Sequence, residues 1–119
     1  MANILIVDDS RTSRKILRNI LEEAGNEVVA EGVDGADGVE KFKEFKPDIT
    51  TLDITMPVMD GLEALKQIRE EDGSAKVIMV TAAGQQNKMM DAIKLGASEF
   101  VTKPFDADSI LKMVDKLSK

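Results

Sequence analysis

Five apolar runs in this 119-residue chain end at or beside polar residues, and four of those ends could do chemistry. "ILIV" runs into Asp8 and Asp9, "ITTL" into Asp53, "VIMV" into Thr81, and "SEFV" into Thr102-Lys103; "EVVAEG" ends least distinctively, at Val33 and Asp34. Brought to one place, three carboxylates repel and raise their own pKa values. One lysine does not neutralise three negatives, whereas a hard divalent cation does, and oxygen-only ligands with waters suit Mg2+. Magnesium usually takes one or two carboxylates plus phosphate oxygens. The set therefore suggests a phosphoryl group as the remaining ligand, with Lys103 and Thr81 available to its other oxygens. An Asp beside such a metal can itself be the nucleophile, giving an aspartyl-phosphate.

Taken singly, each residue has a structural explanation. Adjacent acids at a strand end commonly cap the next helix, and Asp9 or Ser10 could serve that way. An Asp in a turn, a Thr at a strand end or a Lys before Pro is commonplace. Independent accidents would have no reason to choose the same edge of one sheet.

What the chain lacks narrows the chemistry. It has no cysteine, hence no disulfide, thiolate metal site or Cys nucleophile. It has no histidine, hence no imidazole base, Ser-His-Asp triad or His-held zinc. A net charge of -6 argues against nucleic-acid binding, which draws on clustered Lys and Arg. No apolar stretch nears the roughly 20 residues of a membrane span, and Asp8 and Asp9 cut short any signal-peptide core. The expectation is one cytoplasmic domain over residues 1–119, without membrane insertion.

The elements that must position these residues follow from periodicity. Strands are predicted at 3–8, 27–33, 48–53, 76–81 and 98–102. The stretch "SRTSRKILRNILEEAG" places Ile16, Leu17, Ile20, Leu21 and Ala24 on one helical stripe, stopped by Gly25-Asn26. A helix over 36–45 faces inward through Val39 and Phe42, and Pro47 marks that it has ended. Further helices are predicted over 61–71 through Leu62, Leu65 and Ile68, over 85–95, and over 107–117 through Ile110, Leu111, Val114 and Leu117. Such alternation forces parallel strands and right-handed crossovers. Strands apolar on both faces need helices on both sides, giving a doubly wound five-stranded α/β sheet. Ligands in such a sheet bind beyond the carboxyl ends of the strands, where these polar residues lie.

Four ordered motifs, "VDDS" (7–10), "LDITMPVMDG" (52–61), "VTAAG" (80–84) and "KPF" (103–105), closely resemble those of the receiver domains of two-component signalling. The resemblance runs the length of the chain and implies a flavodoxin-like (βα)5 fold with strand order 2-1-3-4-5. It implies that Asp53 is the phosphoacceptor, taking a phosphoryl group from a phosphohistidine on a partner kinase. Asp8 and Asp9 would hold Mg2+ with the Asp53 carboxylate and the Thr55 backbone carbonyl. Thr81 would hydrogen-bond the phosphoryl group and Lys103 pair with it, while Thr55, Ala82 and Ala83 line its surroundings. Phe100 matches the switch aromatic coupled to Thr81; many chemotaxis members carry Tyr there. The Lys103-Pro104 bond is cis in the family.

Within the family, "SRKILRNIL" and "AAGQQ" look like the stand-alone chemotaxis (CheY-like) type. With no helix-turn-helix after residue 119, output would pass through protein contact. The partners implied are a chemotaxis histidine kinase, a flagellar switch protein and a phosphatase, with the chain itself a monomer. It would be a signalling module that takes part in its own phosphorylation and dephosphorylation. Phosphorylation would draw Thr81 inward and let Phe100 turn, reshaping the surface of the fourth helix, fifth strand and fifth helix. Met89 and Met90 are adjacent on that helix, so the two cannot face the core equally. The alternative is a single-domain phosphorelay intermediate passing the phosphoryl group to a histidine phosphotransferase protein. An Asp-nucleophile phosphatase would place two acids in D-x-D on one strand, and no predicted strand here has that pattern. A flavodoxin would need a phosphate loop after the first strand, where "DDSRTS" puts two anions.

Overall fold

Short β-branched runs pair edge to edge and each helix buries one stripe against them, so all five strand–helix units form. The structure is a computed structural model that describes residues 2–82 and 84–118. Its strands are β1 (Asn3–Val7), β2 (Glu27–Gly32), β3 (Ile49–Asp53), β4 (Lys76–Thr81) and β5 (Glu99–Thr102). They alternate with α1 (Arg11–Glu23), α2 (Gly35–Phe45), α3 (Gly61–Glu71), α4 (Met89–Lys94) and α5 (Ala107–Leu117). All pairings are parallel, in the order β2-β1-β3-β4-β5. Both the doubly wound fold and the implied strand order are therefore those the chain adopts.

Side-chain alternation along the strands divides the core in two. Leu5, Val7 and Leu52 belong to a cluster with Phe42 of α2 and Leu65 and Ile68 of α3. Ile4, Ile6 and Ile49 cluster with Leu17 and Leu21 of α1 and Ile110 and Val114 of α5. Each fully buried Leu or Ile contributes about 1.5–3 kcal/mol relative to exposure, so the central strands are a firm frame for whatever leaves their ends. β3 also buries the Thr50 and Thr51 hydroxyls with no hydrogen-bond partner among the described residues.

The fold departs from the sequence expectation at three places. Burial on both faces holds for β1, β3 and β4, whereas β2 and β5 have one neighbour each and are only partly covered. The helix predicted over 85–95 is a 3-10 turn at Gln86–Lys88 followed by six residues of α4, whose N-cap Lys88 makes no side-chain cap bond. In α1 only Leu17 and Leu21 are fully buried, with Ile20 packed at their margin; Ile16 is exposed, and Ala24 lies past the last turn as C-cap. A helix laid on a sheet buries a narrow stripe, and Ile16 is one position off it.

Ser10, Asp34 and Asp60 cap α1, α2 and α3, each accepting a bond from a backbone N–H of the first turn. Three helix N-termini thus open at the carboxyl edge of the sheet. At α1 the cap is Ser10, which leaves Asp9 uncommitted to that role.

Candidate functional site

β1 and β3 are neighbours with Val7 opposite Leu52, so Asp8 and Asp53 emerge side by side at the rim. One carboxylate oxygen from each of Asp8, Asp9 and Asp53 lies within 4.8 Å of the others. Asp8 and Asp53 are 3% and 6% exposed, while Asp9 is open to solvent. Lys103, just past β5, reaches back to set its Nζ 3.0 Å from Asp8 Oδ2 and 3.3 Å from Asp53 Oδ2. Its peptide bond to Pro104 is cis.

Burial pushes the Asp53 carboxyl up to about 6; the Asp8 charge adds to the rise and Lys103 opposes it. At Lys103 burial works against the charged form, but its hydrogen bond to Asp8 and the charge of Asp53 outweigh that, and its pKa is raised. One ammonium facing three carboxylates leaves the cluster short of positive charge. The donor set is oxygen only, closely spaced and reached from solvent through Asp9, which fits a hard divalent cation such as Mg2+.

Asp8 is held by the Ser10 backbone and by an arginine that the sequence did not single out. Asp8 Oδ1 accepts the Ser10 N–H at 2.8 Å, and the Asp8 carbonyl accepts from the Arg14 guanidinium at 2.7 Å. Arg14 also pairs with Glu31 of β2 at 2.9 Å, and Glu31 takes Arg18 as a second partner. Arg14 and Glu31 are 17 residues apart, and no motif marks them as partners. The packing of α1 beside β2 brings them together.

On the other flank, α3 starts directly against β3. The Gly61 N–H donates to the Ile54 carbonyl at 2.7 Å, and a Cβ on Gly61 would lie 2.0 Å from the Asp53 carbonyl oxygen. Gly61 therefore allows a close approach of α3 under the site. Between them Val58 adopts φ +67° at 84% exposure, and the Met59 N–H closes onto the Pro57 carbonyl at 2.7 Å.

Thr81 is buried at the end of β4, but its hydroxyl is turned toward β5, 3.5 Å from the Val101 carbonyl and 3.4 Å from the Thr102 hydroxyl. Phe100 of β5 is partly buried against the cluster under α2 and α3. Thr55 is exposed and its hydroxyl accepts from Gln85 Nε2, while Gln85 Oε1 accepts the Ala82 N–H at 2.7 Å. Ala83 lies outside the described residues. The structure thus joins Asp8, Asp9, Asp53 and Lys103, sets Thr55 and Ala82 on the loops beside them, and leaves Thr81 and Phe100 engaged away from Asp53. Met90 of α4 is exposed and Met89 partly buried, the split that their adjacency requires.

A five-stranded parallel sheet with this acid-and-lysine rim is the architecture of a receiver. Residues 4–115 match the response regulator receiver domain family, and the chain belongs to it. Within the family it is homologous to chemotaxis response regulators. It is 54% identical over 119 residues to the chemotaxis protein CheY of Listeria monocytogenes, covering 100% of both. To that of Bacillus subtilis it is 51% identical, over 95% of this chain and 94% of the relative. Among solved structures it is similar to a chain of the CheX–CheY–BeF3–Mg2+ complex from Borrelia burgdorferi. The TM-score is 0.92 at 39% identity, covering 98% of this chain and 89% of that one.

Proposed function

We propose that residues 1–119 act as one phosphorylation-activated chemotaxis regulator whose phosphoacceptor is Asp53. The observation that carries this reading is the convergence of Asp8, Asp9, Asp53 and Lys103 at one rim. Asp53 is the acid central to the group: it touches Lys103 and leaves the middle strand of the sheet. Ionised, its carboxylate oxygen attacks phosphorus; the P–N bond to a donor histidine breaks as the P–O bond to Asp53 forms. Lys103 already sits between Asp8 and Asp53, placed to pair with oxygens of the incoming group.

Mg2+ would be held by Asp8, Asp9, the Asp53 carboxylate and the Thr55 backbone carbonyl, and when bound it supplies positive charge to the carboxylates and phosphoryl oxygens. Buried next to Asp8, Asp53 ionises less readily than an ordinary Asp, and positive charge from such a cation would offset that.

Output follows as a population shift. Thr81 exchanges its long contacts on β5 for a hydrogen bond to the phosphoryl group on Asp53. The space it leaves beside Thr102 lets Phe100 turn inward, and the surface of α4, β5 and α5, Met90 included, changes shape. A chemotaxis histidine kinase supplies the phosphoryl group, a flagellar switch protein reads the surface, and a phosphatase resets it. The solved CheX–CheY complex supports a protein partner beyond kinase and switch. Relatives described as chemotaxis proteins do not favour the phosphorelay alternative.

Incubation with acetyl phosphate and Mg2+ tests the chemistry. Intact mass should rise by one phosphoryl group as acetate leaves, and Asp53→Asn should abolish the gain. Stoichiometric labelling of Asp53→Asn would overturn the assignment. Binding of the phosphorylated form to a flagellar switch peptide, and no transfer to a histidine phosphotransferase domain, is the expected output result.

A further inference from the structure

Beyond Thr81 at the end of β4, the Ala82 N–H donates its hydrogen bond to a side chain, Gln85 Oε1 at 2.7 Å. The same carboxamide donates through Nε2 to the Thr55 hydroxyl on the β3–α3 loop. Asp53 lies opposite Val80 in the β3–β4 register, so Thr55 and Ala82 are each two residues past that pair. The Gln85 carboxamide therefore ties together the two loops that flank Asp53, with an acceptor on one and a donor on the other.

An amide oxygen accepting the Ala82 N–H does what an oxygen of a phosphoryl group on Asp53 would do if Ala82 lined it. We infer that Gln85 is a latch across the phosphorylation site, holding the Ala82 N–H in the resting protein and releasing it when the phosphoryl group arrives. The inference rests on the reading of Asp53 as phosphoacceptor. Gln85 acts through Ala82 and Thr55 and is a positioning residue, not a catalytic one. The two oxygens compete for one donor, so the latch opposes phosphorylation by the worth of that hydrogen bond. Its tie to Thr55 gives the β3–α3 loop a part in the same competition.

Gln85→Met keeps the stem and volume while removing both hydrogen bonds, and Thr55→Val removes only the far anchor while leaving its backbone carbonyl. With acetyl phosphate and saturating Mg2+, Gln85→Met should label about three- to tenfold faster than the parent, the range one hydrogen bond is worth. Thr55→Val should fall between the two. Backbone amide exchange by NMR, in the absence of phosphodonor, should show the Ala82 N–H exchanging faster in Gln85→Met, with protection in β1 and β3 unchanged. Labelling of Gln85→Met at or below the parent rate, or an Ala82 amide equally protected in both, overturns the latch. If the parent fails to label at all, the phosphoacceptor reading fails, and the latch with it.

Discussion

Gly61 is pressed against the backbone of Asp53, so closely that a Cβ there would fall 2.0 Å from the Asp53 carbonyl oxygen. No side-chain rotation relieves that clash, because the backbone fixes where a Cβ sits and its neighbour is a main-chain carbonyl. Gly61→Ala should destabilise the protein by about 3 kcal/mol or more and displace Asp53. Gly73 supplies the control: nothing lies within 4 Å of a Cβ built there, so Gly73→Ala should be close to neutral. Urea unfolding of the two variants checks both, and equal midpoints would contradict the geometry.

The raised pKa of Asp53 has a definite sign. Folded, the group holds its proton up to about 6, against 3.8 for an ordinary Asp, so the folded state binds the proton more tightly than the unfolded one. Its contribution is full below about pH 4, declines as pH rises toward about 6 and stays lost above that. Carboxyls such as Asp37 behave oppositely: against burial, Lys41 and the Val33 N–H hold Asp37 below its usual range. The readout is therefore the difference between parent and Asp53→Asn in EDTA. The variant should gain on the parent between pH 4 and 7, and Mg2+ should close the gap. A gap that does not change with pH would refute the burial account.

Arg14 braces the Asp8 carbonyl, with Glu31 fixing the guanidinium from β2. Arg14→Ala should weaken Mg2+ binding by about tenfold, as loss of an outer-shell support does, and Arg14→Lys should recover only part of it. Glu31→Gln should have a smaller effect in the same direction. Calorimetric titration with Mg2+ reads all three, and an unchanged affinity in Arg14→Ala would sink the idea.

Val58 is a β-branched residue in the left-handed region with almost no surface buried to offset it. Val58→Gly should raise stability by about 1 kcal/mol, the strain relieved less the entropy of the added glycine. Denaturant midpoints test this; a lower midpoint would mean the turn is not strained.

Thr50 is wholly buried and its hydroxyl has no partner among the described residues. Thr50→Val keeps the shape and removes the orphaned group, so thermal or urea unfolding should show a gain of about 1 kcal/mol. A loss of similar size would show the hydroxyl to be satisfied in solution.

The strands and their polar ends were legible because a parallel sheet buried on both sides needs continuous apolar runs, and Asp8, Asp53 and Lys103 punctuate those runs abruptly. α3, β4 and α5 match the predicted spans residue for residue, each having a clear period and a sharp stop. α4 was overestimated because "GQQNKMM" has helical composition but its first residues are drawn into a 3-10 turn. Arg14, Glu31 and Gln85 escaped notice for one reason. Their partners are backbone groups or residues on other elements, and charge or amide on a helix face or loop normally signifies solvent. Val58 gave no sign either, since valine is the residue type least expected at positive φ.

Parallel strands have a second end, and here it carries neither the acids nor Lys103. Ala2 at the start of the chain and Leu117 and Ser118 at its close line one polar cavity there, with Lys76 donating to the Leu117 carbonyl. Ala2 and Ser118 are thus neighbours, on the side of the molecule turned away from Asp53. A fluorophore, an affinity tag or a surface tether attached at either one would hang from that side and leave the acidic rim facing outward. Immobilised in that way, the protein would present Asp53 and the acids beside it to partners in solution.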